Sequence, residues 1–374
     1  MNIGRRDMLK VIGAATLVVG GAPLIHACRG LVRDDLGAGD SDSVAGPALD
    51  PQVRDILYHA SLAPSGHNAQ PWTVRRLEPG RLVIGSAEER WLPAVDPTNR
   101  ELLLSIGAFL GNLIIAARHH GYDAEYRVLG TTGEDRDILE VRLFRASALA
   151  YPLEKIRLRR TVRGGHLPTP LKADDVRALS EPFESHLAFF PRGSPAAKYL
   201  ETATVEANRI QADRDAAQDE LSRWIRFTDD EGRRYRNGLT PESMEITGLS
   251  GWFVRHFMDR PSVMKQSFRA RGVEAARKQV QAYGGWLVVT SPNSSVATLI
   301  ETGRRFQSTL LHIRERMIAI HPMTQVLEEA PFRDQVAREL DVSGVVQFIL
   351  RVSYLKRYPD PVSLRMPVSW FVLS

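Results

Sequence analysis

The chain has 374 residues, 43% of them apolar and 25% charged, with a formal net charge of +5 at pH 7. That is the make-up of a globular protein long enough for two domains or one duplicated domain. The charge is too mild to argue for nucleic acid, and a single cysteine excludes an internal disulfide.

Taken in chain order, the N-terminus reads as a targeting segment. Gly4-Arg5-Arg6-Asp7-Met8-Leu9-Lys10 is a twin-arginine pattern. Val11 to Ile25 is an apolar run shorter than the roughly 20 residues that span a bilayer. Residues 1–28 are therefore expected to direct export of an already folded protein by the twin-arginine route. Leu24-Ile25-His26-Ala27-Cys28 has the outline of a lipobox, although His26 is unusual there. The expected location is periplasmic, either after plain cleavage near Ala27 or membrane-anchored through Cys28. No membrane contact is expected beyond the signal or the lipid. Residues 29–50, rich in Gly, Asp and Ser, read as a flexible linker.

The mature chain divides into a first half, 51–150, and a second, 151–374. The first reads as helix 51–62, a polar loop, strands 72–77 and 81–86, helix 99–120, and strands 123–129 and 138–144. In the long helix Leu102, Leu103, Ile106, Phe109, Leu110, Leu113 and Ile114 recur at helical spacing. The second half reads as helices at 153–160 and 172–179, a polar helical region 194–227, an aromatic helix 241–258, and helix 268–282. Strand 286–290, helices 296–320 and 331–339, and strand 345–352 follow. Helices and strands without strict alternation indicate α+β.

Two local strings carry chemistry. Ala60-Ser61-Leu62-Ala63-Pro64-Ser65-Gly66-His67-Asn68-Ala69-Gln70-Pro71-Trp72 ends an amphipathic helix and starts a strand. Its small side chains, backbone N–H groups and amides suit a flat polar ligand, while a plain Ser/Asn turn is the bland alternative. Arg157-Leu158-Arg159-Arg160-Thr161-Val162-Arg163 gathers four guanidinium groups and a hydroxyl, as a phosphate site requires. On its own such a run also suits a solvated basic face. His119-His120 closes a helix, and His67 reads as a solvent-facing loop residue. No metal-ligand spacing, P-loop or strand-borne GxGxxG occurs. No single catalytic residue stands out.

The string A-P-S-G-H-N-x-Q-P-W closely resembles the flavin loop of the nitroreductase family, and the arginine run resembles that family's phosphate-binding cluster. The resemblance covers most of residues 51–370. It implies an α+β nitroreductase-like fold, one FMN per chain and two-electron transfer to a nitroaromatic or quinone-like small-molecule acceptor. By matching positions it implies flavin contacts from Pro64, Ser65, Gly66, Asn68 and Gln70. Arg159, Arg160, Thr161 and Arg163 would cradle the phosphate. Leu364-Arg365-Met366-Pro367 matches a C-terminal phosphate-binding arginine, Arg365. Met323 and Thr324 would meet flavin N5, and Arg277 or Lys278 the O2/N1 edge.

The order of the strings departs from the usual family member, where the arginine cluster precedes the loop. Here the loop lies in the first half and the cluster opens the second. The chain thus resembles a fused two-half subgroup that includes the mycobacterial Acg protein, an internal pseudo-dimer with one composite site. A monomer follows, since an outside partner is unnecessary. Residues 200–260 would be a lid, with Trp224, Tyr235 or Trp252 at the flavin. NAD(P)H is a candidate donor, but an exported protein meets no pool of it. The donor stays open. A flavin-sequestering protein with little turnover is the alternative function. A non-flavin protein with a basic docking patch is a third.

Overall fold

The computed structural model describes residues 29–36 and 49–373. The expected signal, Cys28 and residues 37–48 of the expected linker lie outside the described residues.

Helix α1 (Pro51–Ser61) begins at Asp50, whose side chain accepts from the Gln52 and Val53 N–H groups, with Pro51 at the first helical position. Strands β1 (Trp72–Glu78) and β2 (Arg81–Ser86) form a hairpin closed at Pro79-Gly80, where Gly80 takes φ +77°. Helix α2 (Arg100–His119), β3 (Tyr122–Val128) and β4 (Asp137–Arg145) complete the first half. Its strands run β3-β4-β2-β1 across the sheet, every neighbour antiparallel.

The second half begins its sheet at β5 (Leu187–Pro191). Six helices follow: α3 (Pro195–Asp213), α4 (Asp215–Trp224), α5 (Asp229–Tyr235), α6 (Gly248–Phe257), a single turn at Arg260–Val263, and α7 (Gln266–Gln279). Then come β6 (Gly285–Ser291), α8 (Val296–Leu310), β7 (Ile318–Pro322) and β8 (Val345–Tyr354). The strand order is β7-β8-β6-β5, again antiparallel throughout. The two halves therefore share one topology, β-β-α-β-β. The largest difference is in the first connection. A two-residue turn in the first half is replaced by residues 192–284 in the second.

The halves meet along α2 and α8. A Cβ added at Gly107 would collide with the Ile300 carbonyl, and one added at Gly303 with the Leu104 carbonyl. Each glycine thus admits the backbone three residues before the other, a reciprocal contact that only a residue without Cβ allows. Gln307 Nε2 donates to Asn112 Oδ1 at 2.7 Å in the same seam, and both residues are fully buried. Helix α2 is apolar on nearly all sides because it is packed on nearly all sides. The last strand, β9 (Val372–Leu373), crosses back and pairs parallel with β1.

Several element boundaries differ from the sequence reading. The expected helix 296–320 stops at Leu310, and Met317 takes φ +54° before β7 begins. No Gly or Pro punctuates residues 311–317, so nothing in the sequence separates that strand from the helix before it. The region 194–227 breaks at Arg214, whose extended backbone separates α3 from α4. The expected helix 331–339 is two short turns, 330–333 and 336–339. Residues 29–36, expected in a flexible linker, are docked. Leu31 and Val32 are buried, the Leu31 N–H donates to Asp229 Oδ1 at 3.1 Å, and Arg33 donates to the Arg157 carbonyl at 2.6 Å.

Candidate functional site

The loop after α1 is bent by three left-handed residues, His67, Asn68 and Gln70, at φ +48°, +54° and +53°. Asn tolerates that region, but His and Gln there cost about 1 kcal/mol or more each. Hydrogen bonds hold the shape. Gln70 N–H donates to Ser65 Oγ at 3.0 Å, and Arg90 donates to the Gln70 carbonyl at 3.0 Å. Asn68 Nδ2 donates to the carbonyls of Gly238 and Leu364, each at 3.1 Å. Gln70, fully buried, accepts from Met366 N–H at 3.0 Å and donates to the Arg236 carbonyl at 3.0 Å. The two amides thus stitch the first half's loop to the inserted segment and to the C-terminal arm.

Beside the loop lies a cavity of about 90 Å³ lined by five arginines, Arg33, Arg159, Arg160, Arg163 and Arg365, with Ser65, Asn68 and Thr161. No carboxylate lines it among the described residues. Arg365 donates to Asn68 Oδ1 at 2.8 Å and to the carbonyls of Leu62 and Ala63, each at 3.3 Å. Arg159 donates to the Leu62 carbonyl at 3.2 Å, while its Nε and Nη1, and Nε of Arg365, are buried without a partner. Burial pushes the Arg159 guanidinium down to about 10, with Arg33 adding to the effect, and lowers Arg365 strongly. Glu245 offsets part of this charge from outside, pairing with Arg160 at 3.2 Å and accepting from Arg163 N–H at 2.9 Å. Arg159 and Arg365, buried with spare donors and with no carboxylate among the described residues lining the cavity, suit an anion there.

A second cavity of about 380 Å³ shares the walls Pro64, Ser65, His67, Thr161, Arg163 and Leu239 with the first. Gly66, Glu101 and Ser105 border it from the first half. Phe306 and Phe348, stacked with ring centroids 4.2 Å apart, form a flat apolar wall. The inserted segment closes the opposite side with Gln211 of α3, Leu221 of α4, and Phe268, Arg269 and Val273 of α7.

Among the titratable groups that border this space, His67, His321 and Glu328 are displaced from their usual range. Burial, and then the Arg163 charge, lower His67 to about 4, so its ring is neutral near pH 7. Burial, then Arg163 and Arg351, also lower His321 well below the usual range. The Arg351 guanidinium donates to His321 Nδ1 at 3.1 Å, which leaves Nε2–H as that ring's donor. Glu328 is raised to about 8 by burial and by the Glu101 carboxylate, so it keeps its proton at neutral pH. Gln211 Nε2 donates to its Oε2.

The structure brings together Pro64, Ser65, Gly66, Asn68, Arg159, Arg160, Thr161, Arg163 and Arg365 as cavity lining, and adds Thr324 at the far wall. Gln70 lies behind the loop as a tether. Met323 is buried in the second half's core, and its N–H is spent on the Ile349 carbonyl at 2.9 Å. Arg277 and Lys278 are exposed on the outer side of α7 and line neither cavity; Arg277 lies 3.5 Å from Glu274. The inward stripe of that helix carries Arg269 instead, and Arg269 is held by Asp215 at 2.5 Å. The three aromatics expected at the ligand also sit elsewhere. Trp224 packs on Ala69, Leu92 and Val95, Tyr235 lies 4.6 Å from the Arg226 guanidinium, and Trp252 stacks on His256. Leu221, Leu239 and Phe268 take the inner positions. His67, read as solvent-facing, is half-buried and borders both cavities. Sequence reasoning missed Arg33, Arg269, His321 and Glu328. His321 directly precedes the Pro322-Met323-Thr324 string that drew attention, and Glu328 lies one helical turn beyond Thr324.

No protein-family model matches the chain. It is 24% identical over 327 residues to "Probable NAD(P)H nitroreductase PigM" of Serratia sp., covering 84% of this chain and 91% of that protein. It is 25% identical over 326 residues to a Mycobacterium tuberculosis protein provisionally named an NAD(P)H nitroreductase, covering 83% of this chain and 87% of that one. Among solved structures, the FMN-dependent nitroreductase NfnB of Mycobacterium smegmatis, in complex with NADPH, superposes with a TM-score of 0.36 at 17% identity, over 55% of this chain and 91% of that one. The names of the curated relatives support the nitroreductase superfamily for this chain.

Proposed function

We propose that this chain is an FMN-dependent oxidoreductase of the nitroreductase type, exported by the twin-arginine route. The observation that carries the reading is the pair of joined cavities at the seam of the two halves. One is walled by five guanidinium groups, and the other by a stacked aromatic pair. A phosphate-bearing ligand with a flat ring fits that pair, and the curated relatives are named NAD(P)H nitroreductases.

Arg33, Arg159, Arg163 and Arg365 would hold the phosphate, with Arg160 and Thr161 beside them. The orphaned buried nitrogens of Arg159 and Arg365 fit such a group. When bound, FMN supplies two-electron transfer between a reduced nicotinamide and a nitroaromatic or quinone-like acceptor. Ser65, His67 and Thr161 border both cavities and would orient the ligand across the junction. Leu221, Leu239 and Phe268 narrow the larger cavity and exclude water from it. Glu328 holds a proton on its carboxyl at neutral pH, beside a space where an acceptor oxygen would need one.

A flavin store with little turnover is a second reading, favoured by the α3, α4 and α7 wall over the larger cavity. Purification followed by an absorption spectrum tests the first step: flavin bands with one FMN per chain are expected. A colourless protein that takes up no FMN overturns the reading. Stopped-flow mixing with NADPH then separates reductase from store, because rapid bleaching of the flavin band belongs to the reductase.

A further inference from the structure

Helix α6 carries an apolar face that nothing in the described chain covers. Leu249, Phe253 and Phe257 are 69%, 50% and 46% exposed, and their spacing of four places them on one stripe. The rings stack along it. Phe253 lies 5.2 Å from Phe257, and Trp252 lies 4.6 Å from His256 and 5.5 Å from Phe257. The opposite face is already satisfied. Val254 packs with Ile225, Phe227 and Val263, and Arg255 pairs with Glu242 in a buried contact. The outer stripe is therefore surplus to the fold, and contiguous surplus of this kind marks a docking surface.

The chain itself indicates what the stripe meets. Gly30 N–H donates to Glu242 Oε1 at 3.1 Å, and a Cβ at Gly30 would collide with both Glu242 and the Arg255 guanidinium. The chain therefore enters the fold in close contact with the Glu242–Arg255 pair, beside α6. The preceding 28 residues, which include the apolar run Val11–Ile25 and Cys28, attach at that point. Charge near the stripe is sparse, with exposed Arg260 and Lys265 against Asp259.

We propose that the outer face of α6 docks on a lipid bilayer, seating Leu249, Trp252, Phe253 and Phe257 at the headgroup–acyl boundary. The occupant is lipid because residues 1–28, proposed above as an export signal, join the chain beside this helix. The mix of aromatic rings with flanking Arg260 and Lys265 is also the composition of a membrane interface. The attraction is apolar, so salt has little effect on it. The proposal rests on the export reading of residues 1–28 and is independent of the flavin reading, so the two fail separately.

The test mixes the full-length protein with phosphatidylcholine vesicles whose acyl chains carry bromine, a contact quencher of tryptophan. Quenching of the wild type is expected, its quenchable component is lost in Trp252→Phe, and raising salt about tenfold leaves it unchanged. The triple variant Leu249→Ser, Phe253→Ser, Phe257→Ser is expected to lose the quenching and to keep the wild-type thermal melt. Should that variant misfold, Trp252→Phe carries the test alone. Absence of quenching in the wild type, or quenching unchanged in Trp252→Phe, overturns the proposal. So does a dimer in sedimentation that the triple variant dissociates without any lipid quenching, since the face then belongs to a second copy.

Discussion

Replacing Arg159 by alanine separates a ligand-binding role from a structural one. In the fold this guanidinium makes one hydrogen bond, to the Leu62 carbonyl at 3.2 Å, and that carbonyl also accepts from Arg365 at 3.3 Å. Its removal therefore orphans nothing. Its Nε and Nη1 are spare, and each charge-assisted bond to a phosphate is worth about 1.5–3 kcal/mol. With four other arginines around the same cavity sharing the anion, a net loss of about 3 kcal/mol is reasonable, or about 150-fold in affinity. The expectation is a drop of that size for FMN and little change for riboflavin, which lacks the phosphate. Without ligand the sign reverses. Burial lowers the Arg159 pKa to about 10, so the empty fold carries a desolvated charge with no carboxylate beside it. The ligand-free variant should melt no lower than the wild type. Calorimetric titration of both flavins into the stripped protein, with a thermal melt of each form, measures all three quantities. Equal losses for FMN and riboflavin, or a lower melt of the ligand-free variant, would refute the phosphate-cradle reasoning.

Other perturbations follow from the same geometry. Glu328 titrates near 8 in the fold, above its ordinary range, so the stabilisation of its protonated form is lost as pH rises from about 4.5 through 8; in Glu328→Gln that part of the pH dependence of thermal melts should flatten. Gly107→Ala should cost more than about 2 kcal/mol in urea unfolding, because the added Cβ collides with the Ile300 carbonyl. Gly272→Ala, where a Cβ meets open space within α7, should instead gain about 0.5–1 kcal/mol. Changing Arg5 and Arg6 together to lysine should leave the protein in the cytoplasm on fractionation, since the pair is read by a receptor rather than by bulk charge.

What was legible in the sequence was local. The Pro64–Gln70 loop and the Arg159–Arg163 cluster are short strings whose chemistry survives translation into three dimensions. Their meeting, with Arg365 brought from two hundred residues away, needed the fold. Periodicity identified α7 as a helix but not which stripe faces the cavity, so Arg277 and Lys278 drew the attention that Arg269 merited. Composition marked residues 200–260 as an insertion. The full span, 192–284, became visible only when β5 and β6 proved to be the counterparts of a hairpin. Strand β5 is a short edge strand of five residues, and β7 follows α8 with no Gly or Pro between them, so neither is set off by a signal of its own.

The shared β-β-α-β-β order has an evolutionary consequence. Two identical subunits around a twofold axis receive every substitution twice, at both of their equivalent sites. Here the counterpart of Pro79-Gly80 spans 93 residues, from 192 to 284, while the first hairpin is minimal. Covalent linkage allows one copy of the motif to differ from the other, so a single chain can elaborate the surroundings of one site while the Gly107–Gly303 crossing keeps the two halves in register.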